Sequence, residues 1–240
     1  RGLAGFFSRH GELDAAIADY FAGFDLILSY LFDPDGIFRT NVAACTEAQI
    51  IQCPHRPDES NPVHATQVYL KPLEQLAIYD ADPVPRLALP SEPSDASMLA
   101  LHPGSGSDLK NWPEPRWAAL LERLIRETDL QLLVVGGEAE GLRLDRLMAG
   151  LPSERVCMAR SLPLVELSGR MRACRAFVGH DSGITHIAAA LGLPCVVLWP
   201  DTNEMIWSPQ GDGVVILKEP RGLRTLDVDW VYDELQKLLS

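Results

Sequence analysis

The stretch Gly179-His-Asp-Ser-Gly-Ile-Thr-His186 joins an apolar run to an Ala-rich helical pattern through a turn of small and polar residues. Asp181 or Ser182 in front of Gly183 is a helix N-cap signature. The first N–H groups of a helix have no intrahelical partner and its dipole is positive there, so the turn suits a phosphate or diphosphate. A plainly capped helix is the alternative that this segment leaves open. His186 falls one helical turn after Ser182, where it could bond the same anion or serve packing alone.

Three further loops have the same character. His102-Pro-Gly-Ser-Gly-Ser-Asp-Leu-Lys110 offers backbone amides, hydroxyls and one cation ahead of a helix. It lacks the Gly-Lys-Ser/Thr of a Walker loop, so nucleotide hydrolysis through bound magnesium is not implied. Lys110 reads as a point charge for a phosphate or as a solvated surface lysine. Glu138 follows Gly136-Gly137 and could accept hydrogen bonds from ribose hydroxyls, or balance the dipole of its own helix; Glu140 is a weaker version of the same case. Pro200-Asp-Thr-Asn203 completes the set, with Asp201, Thr202 and Asn203 bordering the same ligand.

Two other patterns offer different chemistry. Phe32-Asp-Pro-Asp-Gly-Ile37 is similar to the nucleophile motif of haloacid-dehalogenase-type phosphatases, with Asp33 attacking and Asp35 as acid or base. A turn capping the next helix is the simpler reading. His180-Asp181-Ser182 invites a serine-hydrolase reading, but a nucleophile elbow needs Ser where Asp181 stands.

The elements that must hold these loops follow from periodicity. Strands are predicted at residues 98–101, 130–135, 155–158, 175–178 and 195–199, the last as the final strand. Helices are predicted at 116–127, 138–149, 164–173 and 184–191. Trp117, Leu120, Leu121, Leu124 and Ile125 form the apolar stripe of a helix lying on a sheet. Repeated strand–helix units mean a parallel sheet covered on both faces, with ligands at the carboxyl ends of its strands.

Upstream, helices are predicted at 15–22 and 64–77 and strands at 24–31 and 49–53. The linker candidate runs from Asp80 through Pro83, Pro85, Pro90 and Pro93. The expected organisation is thus α/β: residues 1–90 as a partial unit, 91–226 as a ligand-binding unit, and 227–240 as a helix packing back on the body.

At roughly 150 residues per domain, 240 residues allow one large domain or two small ones. Lys plus Arg is 21 against 33 Asp plus Glu, a formal net charge of -12. Such a chain repels polyanions, which argues against a nucleic-acid partner. Cys45, Cys53, Cys157, Cys174 and Cys195 include no C-x-x-C and read as reduced thiols, giving no metal site. No apolar run approaches the roughly 18 residues of a membrane span, so stable insertion is not expected. The opening Arg1–His10 is too short in its apolar part for a signal peptide. It also lacks a methionine and is expected to continue from upstream sequence.

His102-Pro-Gly-Ser-Gly, Lys110-Asn-Trp-Pro113 with Trp117, Gly136-Gly-Glu138, Gly179 to His186 with Ala188-Ala-Ala-Leu-Gly192-Leu-Pro194, and Trp207-Ser-Pro209 occur in order. Together they resemble the C-terminal half of the bacterial lipopolysaccharide heptosyltransferases, the family nine glycosyltransferases, over about residues 60–240. The resemblance implies a GT-B fold of two Rossmann-like domains, the N-terminal one incomplete. It implies an enzyme that moves heptose or a related sugar from a nucleotide diphosphate sugar, ADP-heptose by the family's pattern, to a lipopolysaccharide core or other surface glycan. No metal or further cofactor is implied.

By the same resemblance Lys110 neutralises the diphosphate and Ser105 is a phosphate-side hydroxyl. Glu138 binds ribose, Asp181 binds donor-sugar hydroxyls, and Ser182, Gly183 and His186 lie against the phosphates. A cytoplasmic location is implied, with contact at the inner membrane face for a lipid-linked acceptor.

One family feature has no counterpart in residues 1–90: a strand followed by a Gly-Asp turn whose aspartate acts as base. The catalytic base is therefore expected outside this chain. The chain is either part of a longer enzyme or a remnant that binds a donor without transferring it.

Overall fold

The computed structural model describes residues 2–89, 97–107, 110–137 and 140–240. The chain divides into two units, Arg1–Pro83 and Val84–Ser240. The expected boundary at 90/91 lies outside the described residues.

In the first unit, α1 (Ala15–Ala22), β1 (Leu26–Ser29), α2 (Ile37–Ala43), β2 (Gln49–Gln52) and α3 (Ala65–Leu70) follow in order. β1 and β2 pair in parallel around a small core of Phe6, Phe38 and Val42. The helix expected over 64–77 is α-helical only to Leu70 and then tightens into a 3-10 turn, Lys71–Leu76. Pro72 explains the change, because it has no N–H for the α-helical ladder. Asp33 resolves as the capping turn: its carboxylate accepts from Phe38 N (3.2 Å) and Arg39 N (2.9 Å) at the start of α2.

The second unit runs β3 (Met98–His102), α4 (Glu114–Glu127), β4 (Gln131–Gly136), α5 (Gly141–Met148), β5 (Val156–Arg160), α6 (Leu164–Arg172), β6 (Ala176–His180), α7 (Gly183–Ala190), β7 (Cys195–Leu198), α8 (Glu204–Trp207), β8 (Val214–Leu217) and α9 (Val228–Leu239). Its six strands form one parallel sheet in the order β5-β4-β3-β6-β7-β8. β8 corrects the expectation that the strand at 195–199 is the last. Val214-Val-Ile-Leu217 is as apolar as the other strands, but only the four-residue α8 lies between it and β7, so it stands outside the repeat of strand and full-length helix.

Side chains alternate across each strand, and the two cores show it. Leu99, Leu101, Leu132, Val134, Ala176, Val178, Val196 and Leu198 face α4, α5 and α9. Ala100, Leu133, Val135, Phe177, Cys195 and Val197 face α6 and α7. Strands buried on both faces must read as unbroken apolar runs, which is why these carry no polar stripe. α4 buries Trp117, Leu120, Leu121 and Leu124, each worth roughly 1.5–3 kcal/mol of transfer free energy. α9 is capped by Asp227, whose carboxylate accepts from Asp229 N at 2.7 Å, and its Tyr232 ring lies under Arg123 at 3.7 Å.

The strand order reverses direction between β3 and β6. In an open parallel sheet this switch point opens a crevice at the carboxyl ends. β3 and β6 are paired with His102 opposite Gly179, so the loops after His102 and His180 leave the sheet side by side.

Candidate functional site

The turn after β6 is extended at Ser182 (φ -153, ψ 161), and α7 begins at Gly183. Ser182 is the N-cap by position, yet its hydroxyl makes no capping bond. It meets His102 Nδ1 at 3.3 Å and Thr185 Oγ1 at 3.2 Å instead. The N–H groups of Thr185 and His186 both return to the Ser182 carbonyl (3.1 and 3.3 Å). The N–H groups of Gly183 and Ile184, the first of the helix, are of the kind that intrahelical bonding leaves over. Gly183 is exposed, and a Cβ placed on it would meet nothing within 4 Å. His186 is exposed on the same first turn.

Lys110 and Asp181 meet beyond the carboxyl ends of β3 and β6. Lys110 Nζ donates to Asp181 Oδ2 at 2.6 Å, and Thr202 Oγ1 donates to the same oxygen at 2.9 Å. The Asp181 side chain is 9% exposed and that of Lys110 37%. Thr202 is held in turn by Trp199, whose indole N–H donates to the Thr202 carbonyl at 3.0 Å. Of the residues after β7, Thr202 reaches the site, while Asn203 caps α8 through Met205 N (3.2 Å).

Ser105 Oγ donates to the Ser107 carbonyl at 2.9 Å and shapes its own loop. The position in front of it is crowded: a Cβ at Gly104 would lie 1.9 Å from Glu140 Oε1. Glu138 lies outside the described residues. Glu140 is the acid that the described residues bring to the end of β4, where its Oε2 accepts from Gly137 N at 2.7 Å and its Oε1 is 3.8 Å from His102 Nε2. The His102 ring and the Gly137 amide hold its carboxyl below the usual carboxylate range, against the opposing effect of burial.

His180 is fully buried and was not singled out by the sequence except in a rejected triad. Its Nε2 accepts from Trp112 N (2.9 Å) and from the Trp117 indole N–H (3.3 Å). That ring nitrogen is therefore unprotonated, and Nδ1 carries the hydrogen that it donates to the Gly104 carbonyl at 3.1 Å. Burial pushes its pKa down to about 3. The signal was present: alternation along β6 puts His180 on the Ala176 and Val178 face, toward α4. Among the described residues no group of three or more His, Cys, Asp or Glu is arranged to hold a metal ion.

At the switch point of the parallel sheet the first turn of α7, a lysine and a carboxylate thus come together. A protein-family model described as glycosyltransferase family 9 (heptosyltransferase) matches residues 65–226. The chain belongs to glycosyltransferase family 9.

Lipopolysaccharide heptosyltransferase 1 of Pseudomonas aeruginosa is 35% identical over 116 residues, 47% of this chain and 31% of that protein. Lipopolysaccharide heptosyltransferase 2 of Escherichia coli is 32% identical over 111 residues, 44% of this chain and 32% of that protein. The match thus spans about a third of these curated relatives.

Two solved family members share the fold over most of the chain. The family 9 glycosyltransferase of Veillonella parvula superimposes with a TM-score of 0.74 at 17% identity, over 94% of this chain and 76% of that one. Escherichia coli ADP-heptose lipopolysaccharide heptosyltransferase II does so with a TM-score of 0.72 at 19% identity, over 93% and 80%. The fold class is α/β of the GT-B type.

Proposed function

We propose that this chain binds the donor of a sugar transfer, an ADP-linked heptose or related sugar, whose acceptor is a lipopolysaccharide core or other surface glycan. The observation that carries the reading is the meeting of Lys110 and Asp181 beside the open N-terminus of α7. A solved Escherichia coli heptosyltransferase carries ADP, and this supports the choice of base.

The chemistry fits these groups. As the glycosidic bond breaks, the departing diphosphate gains negative charge. By this reading the Gly183 and Ile184 N–H groups, the helix dipole and Lys110, once released from Asp181, receive it without a metal ion. Ser105 and Ser182 supply hydroxyls and His186 a ring nitrogen on the phosphate side. Asp181, relieved of Lys110 when the diphosphate takes that lysine, accepts hydrogen bonds from the donor sugar. Ribose hydroxyls fall to an acid at the end of β4. Glu138 is the sequence's choice, and the position of Glu140 beside Gly104 and Gly137 supports Glu140 in the same task.

The acceptor hydroxyl needs a general base, which by this reading is the aspartate of the family's Gly-Asp turn, a motif without a counterpart in residues 1–90. A groove of about 1050 Å³ in the first unit, walled in part by Gln52, Asn61, Gln67, Lys71 and Tyr79, has room for a saccharide and supports that unit as the acceptor side. The reaction belongs in the cytoplasm, at the inner membrane face where the acceptor is lipid-linked. Among the described residues no helix is long and apolar enough to cross a membrane.

A thermal-shift series with ADP, UDP and GDP, each with and without magnesium, tests the donor. Saturation at 100 times the dissociation constant stabilises a fold by roughly 2.7 kcal/mol, so a magnesium-independent shift with ADP is expected. Transfer is expected only from a protein that also carries that base, read as a mass increase of the acceptor. If that longer protein shifts with no nucleotide, the reading fails.

A further inference from the structure

The loop that carries Ser105 and Lys110 is long and glycine-rich, yet its two ends converge on one side chain. His180 Nδ1 donates to the Gly104 carbonyl at 3.1 Å, and His180 Nε2 accepts the Trp112 N–H at 2.9 Å. Gly104 precedes Ser105 and Trp112 follows Lys110 by two residues. The ring leaves the last position of β6, next to Asp181.

We propose that His180 is the positioning residue of the donor site, pinning both ends of the Ser105–Lys110 loop to the strand that carries Asp181. This rests on the donor reading above for its functional consequence, but the tether itself is independent of it.

The arrangement needs an imidazole of one tautomer. One ring nitrogen donates to a carbonyl and the other accepts two N–H groups, so a single rigid ring bridges the two loop ends. Neighbouring groups fix the ring further. The Trp117 indole N–H reaches Nε2 at 3.3 Å and stands edge-on to the ring, with centroids 5.5 Å apart at 84°. Trp112 packs edge-on against Trp117 at 5.4 Å, and its own indole N–H donates to the Leu226 carbonyl at 3.0 Å. Burial pushes the pKa of the ring down to about 3, so the acceptor nitrogen stays unprotonated near neutral pH.

The consequence is preorganisation. With both loop ends fixed, Lys110 faces Asp181 before any ligand arrives, and binding need not order the loop. Removing the imidazole should leave the sheet intact and loosen residues 104–107 and 110–112.

The test uses the 240-residue chain and three variants: His180→Phe, which fills the space without either bond; His180→Asn, which retains a donor and an acceptor; and Trp117→Phe, which deletes one accepted bond. Amide hydrogen exchange at residues 104–107 and 110–112 is read against exchange in β3 and β7, and ADP affinity is titrated in parallel. At least tenfold faster exchange confined to the loop is expected in His180→Phe, with an intermediate effect in Trp117→Phe and partial recovery in His180→Asn. ADP affinity should fall about tenfold in His180→Phe and recover in the same order. Loop exchange and ADP affinity unchanged in His180→Phe, or in Trp117→Phe and His180→Asn if His180→Phe does not fold, overturn the proposal. Faster loop exchange in a protein whose wild type binds no ADP would uphold the tether and sink the donor reading.

Discussion

Lys110 Nζ and Asp181 Oδ2 lie 2.6 Å apart, joining the loop after β3 to the turn after β6 across the switch point of the sheet. The lysine assigned to the donor's diphosphate is therefore neutralised by the aspartate assigned to its sugar. A diphosphate entering the crevice competes with Asp181 for Lys110 and is repelled by the Asp181 carboxylate. Asp181→Asn should then bind ADP severalfold more tightly than the wild type while losing grip on the sugar of an ADP-sugar. Titration of both ligands into both proteins separates the two effects; parallel weakening would refute the competition.

Gly104→Ala should be costly for a local reason. Its Cβ would lie 1.9 Å from Glu140 Oε1, and Glu140 cannot swing away without losing its bond from Gly137 N. A loss of about 1–3 kcal/mol of stability is expected from overpacking of this kind. Glu140→Ala in the same chain should return part of it. A double-mutant cycle on urea midpoints measures the coupling, and strictly additive effects would contradict the clash.

His180 gives the fold a specific acid sensitivity. Its pKa lies at about 3 when folded and near 6.5 when unfolded, so between those values the unfolded chain binds the extra proton. Stability is full above about pH 6.5 and falls by about 1.4 kcal/mol per pH unit on acidification toward pH 3. Burial is the main cause, opposed by the bond to the Gly104 carbonyl; His102 on β3 and Arg143 on α5 act with burial, and Glu140 against it. Glu140, held below the usual carboxylate range, adds a loss of its own only as pH falls through that range. Glu114, Glu127 and Asp58 are held low in the same way, so unfolding midpoints between about pH 5.5 and 7, above the carboxylate range, weight the histidine, and His180→Asn should flatten the slope there.

Cysteine labelling should report the packing of the sheet. Cys157 is exposed, whereas Cys53, Cys174 and Cys195 are buried, and burial pushes the Cys195 thiol up to about 12. The thiolate is the reacting form. Native-state labelling read by mass spectrometry should mark Cys157 first and Cys195 only after unfolding. Early labelling of Cys195 would mean that β7 is not buried as described.

The architecture of the second unit was legible because strands buried on both faces alternate with amphipathic helices, and the Trp117, Leu120, Leu121 and Leu124 stripe has one meaning. β8 was not, since only the four-residue α8 separates it from β7 and it falls outside the strand–helix repeat. Pro72 marked a limit to the α-helix over 64–77 that the apolar pattern alone passed through. In the site, Gly and small polar residues announced the loops, and Lys110 and Asp181 stood out as the charges on them. That these two charges meet was invisible, because 71 residues separate them and only the adjacency of β3 and β6 closes the distance. His180 was hidden for a different reason. A buried histidine is recognised by what it bonds, and its partners Gly104, Trp112 and Trp117 lie on another element.

Titration calorimetry of ADP into the wild-type chain and into Lys110→Ala, with and without magnesium, tests the central claim most directly. Binding by the wild type that is indifferent to magnesium, and at least about tenfold weaker in Lys110→Ala, is expected from the loss of a charge-assisted hydrogen bond. ADP binding of equal strength in the two proteins, or binding that requires magnesium, would contradict a diphosphate held by Lys110 and the N-terminus of α7.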